Sequence, residues 1–159
     1  MRQVGVADGS VASRTVRCQS LGQQSFKGRP SRETVLARHL ARAPRDNPFP
    51  RFRARLERDL EWLMRSGLER FHAYSFANLR QYGACFELAS SYLGWLGGHG
   101  VRGLEAPGLA LRNIAETAKR LQFQLARSMS RGKALDLAAV DAMAAQWTLA
   151  MGELQGRFA

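Results

Sequence analysis

The chain has 159 residues, 45% of them hydrophobic, which suits one domain with a sizeable core. No apolar run reaches the roughly 18 residues of a membrane helix, the N-terminus lacks the apolar segment of a secretory signal, and two cysteines, Cys18 and Cys85, exclude a disulfide framework. A net charge of +11 leaves room for an acidic partner, and the location expected is the cytoplasm.

The charge is uneven. Residues 1–66 carry 14 Lys/Arg against 6 Asp/Glu, and residues 67–159 carry 10 against 7. Only Lys27, Lys119 and Lys133 are lysines, an arginine-rich balance that a GC-rich genome also produces without any selection for binding.

Residues 1–30 are rich in Ser, Gln, Gly and Arg and show no lasting periodicity, which predicts a disordered or poorly packed segment. Their arginine-rich, acid-poor character is faintly that of an organelle transit peptide, and a mis-assigned start or a truncated gene is the simpler account. The domain proper is placed at residues 31–159. Ser31 is placed as the N-cap of a short helix to about Arg42, with Val35, Leu36, His39 and Leu40 inward. Three prolines between Pro44 and Pro50 break it.

A helix follows over about Pro50–Ser66, with Phe52, Leu56, Leu60, Leu63 and Met64 inward and i,i+4 ion pairs outward. Gly67 stops it. The central helix runs from Glu69 to Leu96, roughly 42 Å at 1.5 Å per residue. At 100° per residue, Phe71, Ser75, Asn78, Tyr82, Cys85, Phe86, Ala89, Leu93 and Leu96 share one face. Tyr82 and Phe86 are therefore expected to be almost fully buried, and Cys85 to be a buried free thiol. A second apolar set, Ala77, Ala84, Leu88 and Trp95, marks a helix enclosed on two sides.

Gly97-Gly98-His99-Gly100 ends the central helix. The next spans about Leu109–Met129, with a stripe of Leu111, Ile114, Ala118, Leu121, Leu125 and Met129, and stops at Gly132. Asp136 is placed as the cap of the last helix, with Leu135 and Val140 as a hydrophobic staple. Val140, Met143, Ala144, Trp147, Ala150, Met151, Leu154 and Phe158 form its stripe. The fold class expected is all-α: four long helices in an antiparallel bundle plus one short N-terminal helix.

Chemistry-bearing motifs are sparse. His39, His72 and His99 lie on separate elements and no Glu-x-x-His pair occurs, so no metal and no other cofactor is expected. There is no G-x-S-x-G elbow, and Cys85 and His72 stand roughly 20 Å apart along one helix. Glu116 sits among Arg112, Lys119 and Arg120, the spacing of a solvated ion-pair cluster. Ser75 and Asn78 interrupt the central stripe, and Gln122 does so on the following helix. They read as a network fixing bundle register, or as a polar ligand pocket. Nucleic-acid binding is not favoured, because the arginines of Pro50–Ser66 alternate with acids and no reading motif is present.

The runs NPFPRFRARLERDLEWL, GLERFHAYSFANLRQYGACFELASSYLGWL and IAETAKRLQFQLARSMSRGKALD resemble, over about residues 35–156, the C-terminal helical half of a bacterial family of unknown function. In its full-length members the N-terminal half resembles the acyltransferases of butirosin biosynthesis, a cysteine-nucleophile fold. Their genes stand near amino acid:carrier protein ligases. The resemblance implies an accessory or interaction domain in aminoacyl transfer on a phosphopantetheine carrier protein. Residues 1–30 do not match the N-terminal half, so no catalytic residue carries over and this chain is not expected to be an enzyme. The alternatives are a basic helical adaptor for nucleic acid or another acidic partner, and a non-functional fragment.

Trp62, Phe76, Trp95 and Phe123 fall outside the stripes of their own helices, Trp62 about 160° from Leu60 at 100° per residue. Either the short first helix and bundle neighbours cover them, or they form an exposed apolar patch. Such a patch would hold the missing catalytic half or a carrier protein, or make the chain self-associate.

Overall fold

The computed structural model describes residues 30–132 and 135–158. The segment expected to be poorly packed, residues 1–30, lies outside the described residues apart from Pro30, as does Cys18. The elements are α1 (Arg32–Leu40), α2 (Phe49–Ser66), α3 (Leu68–Ser75), a π-helical turn (Phe76–Arg80), α4 (Gln81–Gly98), α5 (Glu105–Arg131) and α6 (Ala138–Phe158). Backbone angles stay right-handed helical through Ser75, Phe76, Arg80 and Gln81, so α3, the π turn and α4 form one continuous central helix. The described residues contain no strand, and the fold is the all-α one expected.

Cross-helix contacts fix the topology. Going up α4, Gly83 faces Ala115 and Ala118, Glu87 reaches Lys119, Ser90 donates a hydrogen bond to the Gly108 carbonyl, and Leu93 approaches Gly108. Gly83 near the start of α4 meets residues 115 and 118, whereas Ser90 and Leu93 further on meet residue 108, so α4 and α5 are antiparallel. The pair Asn113–Gln146 and the Arg157 side chain over Gly103 give the same sense to α5 and α6. Asn47 on Ala144 and Arg53 on Asp141 give it to α2 and α6. Phe49 and Phe52 against Phe86 and Tyr82 give it to α2 and α4. The result is a closed antiparallel ring of four helices, with α1 laid against α6.

Phe49, Leu56, Leu63, Leu79, Leu96, Ile114, Leu121, Leu125, Val140 and Met143 are fully buried at the centre. The stripes read for α5 and α6 face inward, with Met129, Ala144 and Phe158 only half-buried, and α5 also buries Ala110, Ala115 and Thr117 because it is covered from both sides. The small residues Gly83, Ala115 and Ala118 let α4 and α5 approach closely. Ser31 caps α1 by accepting the Thr34 N–H. The Asp136 carboxylate accepts the Ala138 N–H at the start of α6.

The central helix departs from the expected face. Cys85 is exposed, and Tyr82 and Phe86 are only half-buried, while Leu79, Gly83 and Ser90 are buried instead. The cause is the π turn, which inserts one residue into the helical period. Subtracting that residue's rotation brings Leu79, Gly83 and Ser90 within about 20° of Phe71 and swings Cys85 outward. Two further expectations fail at helix edges: Met64 and His39 are exposed. Phe49, which the sequence placed in the proline turn, is instead fully buried at the first position of α2.

Candidate functional site

Ser75, Asn78 and Gln122 do not converge. Ser75 is buried at the C-terminal end of α3 with its hydroxyl unpartnered, contrary to the expected network. Asn78 is half-buried and donates to the Tyr74 carbonyl one turn back. Gln122 lines a 390 Å³ depression between α4 and α5 that neither Ser75 nor Asn78 enters. A shared polar pocket built from these three side chains is not formed.

The four out-of-register aromatics are all exposed: Trp62 at 45%, Phe76 at 54%, Trp95 at 50% and Phe123 at 67%. They lie in different places. Phe76 and Phe123 flank Arg80, whose guanidinium stands 5.6 Å above the Phe76 ring and which lines the same depression as Phe123. The rim of that depression carries Lys119, which pairs with Glu116 at 3.1 Å and Glu87 at 3.3 Å. Those carboxylates raise the Lys119 pKa further, first Glu116 and then Glu87. Phe76 and Phe123 are thus exposed rings beside a charge cluster in which one lysine answers two carboxylates, with the Arg80 guanidinium near by.

Trp95 stands roughly 28 Å away along the same helix. It stacks on Tyr92 with centroids 6.1 Å apart, carries His99 at 4.3 Å on its other side, and has the Arg32 guanidinium 5.7 Å above its ring. The His99 Nδ1–H donates to the Trp95 carbonyl, which fixes the imidazole. Beside this ladder opens a cavity of 470 Å³ between α1, α4, α5 and α6. Its walls are the buried side chains Leu36, Leu93, Leu111, Trp147 and Met151, and its mouth is set by His39, Leu88 and Tyr92. Sequence reading missed this cavity. The signal for it was the second apolar set containing Leu88 and Trp95, which the enclosed-helix expectation assigned to packing; both are exposed.

A second titratable cluster ties α2 to α3. Arg55 pairs with Asp59 at 2.8 Å, and Tyr74 lies against that carboxylate. Burial first, and then the Asp59 charge, push the Tyr74 phenol up to about 12. Among the described residues no group of three or more His, Cys, Asp or Glu side chains is placed to hold a metal ion. No described helix is long and apolar enough to cross a membrane.

Against protein-family models, residues 27–156 match the DUF1839 C-terminal domain. No curated protein and no solved structure matches the chain.

Proposed function

We propose that the chain, which belongs to the DUF1839 C-terminal domain family, works as an accessory helical domain that docks a protein partner and leaves bond-making chemistry to it. The observation that carries this reading is the pair Phe76 and Phe123, both exposed and both near Arg80, on the face where the π turn and the start of α4 lie against α5. Exposed aromatic side chains on rigid elements are the residue type that supplies most of the binding energy in protein interfaces.

The chemical setting follows from the sequence resemblance: aminoacyl transfer on a phosphopantetheine carrier protein in the cytoplasm, with a cysteine-nucleophile domain as the catalyst. Carrier proteins are acidic, and the first 66 residues of this chain hold most of its excess positive charge. The competing reading, a nucleic-acid adaptor, is weakened by the α2 arginines, since Arg53, Arg55 and Arg65 are each paired with a carboxylate.

Sedimentation velocity of the chain mixed with a carrier protein, with the N-terminal half of a longer family member, or with generic duplex DNA tests the choice. The expected result is a protein complex that Phe123→Ser weakens about tenfold or more, as loss of an interface anchor does. Micromolar DNA binding at physiological salt, with a steep log–log salt slope, supports the adaptor instead. Binding to none of the three overturns the docking reading.

A further inference from the structure

The cavity between α1, α4, α5 and α6 is separate from the Phe76–Phe123 face and is built for a different kind of ligand. Its 470 Å³ falls within the usual range of small-molecule sites, about 300–1,000 Å³. Its depth is lined by Leu36, Leu93, Leu111, Trp147 and Met151, which offer no carboxylate, lysine, arginine, amide or hydroxyl. A polar ligand body would lose its water hydrogen bonds there and regain at most one, from the Trp147 indole N–H. The polar groups of the lining, His39 and Tyr92, sit together at the mouth with ring centroids 6.5 Å apart. Beyond Tyr92 the stacked Trp95 carries the Arg32 guanidinium. Arg32 does not line the cavity, but it is held one stacked ring beyond Tyr92, so its positive charge lies on the Tyr92 side of the mouth and attracts a ligand's anionic end there.

We propose that this cavity binds a linear aliphatic chain ending in an anionic group, of the chemical class of a medium-chain acyl carboxylate. The chain fills the Leu93–Trp147–Met151 interior. The head group stays at the mouth, within reach of His39 and the Tyr92 hydroxyl and on the side where Arg32 stands. At roughly 30 Å³ per small group, the space that a water occupies in the liquid, the 470 Å³ cavity takes about fifteen chain atoms. The inference does not depend on the docking reading, since it uses none of the residues on the α4–α5 face.

Trp147 in the wall is a built-in reporter. Its signal in the full chain is read as the difference between the Trp62→Phe protein and the protein carrying both Trp62→Phe and Trp147→Phe, so that Trp95 stays in place beneath Arg32. Bromine quenches indole fluorescence on contact, so 6-bromohexanoate, 8-bromooctanoate, 11-bromoundecanoate and 16-bromohexadecanoate are titrated in turn. Saturable quenching is expected, with Kd falling about three- to fourfold per added methylene and levelling off once the cavity is full. The carboxylate should bind about tenfold more tightly than the trimethylammonium counterpart at low salt, the gap closing as salt rises. Leu88→Glu puts a like charge at the mouth on an exposed position, so it should weaken carboxylate binding while leaving the unfolding midpoint unchanged.

Quenching that never saturates, or affinity that climbs with chain length without a plateau, means adsorption to the surface and overturns the proposal. So does an ammonium compound that binds as well as the carboxylate. Quenching that disappears as protein concentration rises means that a second copy of the chain covers the mouth, and equally overturns it.

Discussion

Four single residues carry sharp consequences. Gly67, between α2 and α3, has φ 82° and ψ 174°, a region that side chains other than glycine essentially do not enter. No atom lies within 4 Å of a Cβ built there, so crowding contributes nothing. Gly67→Ala should therefore cost about 1–3 kcal/mol in urea unfolding through backbone strain alone. Gly132, at φ 62° and ψ 25° after α5, is in the milder left-handed region and should cost about 1 kcal/mol. Both glycines were legible as helix stops from sequence, whereas the difference in strain is a matter of ψ that no sequence pattern encodes. Ser75 reverses its expected role: its buried hydroxyl has no partner, so Ser75→Ala should leave stability unchanged or raise it by up to about 1 kcal/mol. Tyr74 gives the pH dependence. Its folded-state pKa is raised from 10.0 to about 12, so the neutral phenol is favoured in the native state. That contribution is complete below pH 10 and is lost as pH rises through 10 to 12. Unfolding midpoints measured over that window should fall more steeply for the wild type than for Tyr74→Phe.

At the scale of the element, the π turn decides how the longest helix is read. The 3.6-residue period located the central helix and its ends, and it placed Phe71, Ser75, Leu93 and Leu96 correctly inside. It failed between them because a period assumes no insertion. Cys85 came out exposed and Leu79 fully buried for that one reason. The same geometry makes an unusual prediction. Deleting Ala77, an exposed residue within the turn, should convert it to regular α-helix while keeping Leu79, Gly83 and Ser90 in line with Phe71. Circular dichroism and thermal unfolding should show a folded protein within about 1 kcal/mol of the parent. Deleting Leu88, also exposed, rotates all that follows in α4 by about 100° and should unfold the chain. If the two deletions behave alike, the π turn is not what sets the face of α4. Asn47 is a second place where one-dimensional reading stops. It lies in a proline turn, yet its carboxamide accepts the Phe49 N–H and donates to Ala144 and Thr148 across the bundle. Nothing local in the sequence points to a partner 97 residues away.

For the molecule as a whole, apolar patterning specified the bundle because each stripe must be buried against another, and four stripes with short connections have few solutions. The cavity left one trace in the sequence, the second apolar set with Leu88, but its volume is the space where α1 meets α4, α5 and α6 imperfectly, and that meeting is not encoded in any one helix. The surface aromatics were legible as residues out of register, but not as three separate places: Phe76 with Phe123, Trp95 roughly 28 Å along the central helix, and Trp62 on α2. That separation bears on self-association. A single continuous patch would favour one two-fold dimer, burying the same face on both copies. Separate patches allow the α4–α5 face to pair while the Trp95 ladder stays free. Analytical ultracentrifugation of the chain alone should therefore show a reversible monomer–dimer equilibrium that Phe123→Ser shifts to monomer and Trp62→Ser does not. Trp62 sits on α2, whose exposed surface is laced with the Arg53–Glu57, Arg55–Asp59 and Arg65–Glu61 pairs, and burying it would desolvate those charges. A monomer at all concentrations that Phe123→Ser leaves unchanged would overturn self-association through this face. Loss of the dimer on Trp62→Ser would move the contact to α2 and remove the basis for assigning it to Phe76 and Phe123.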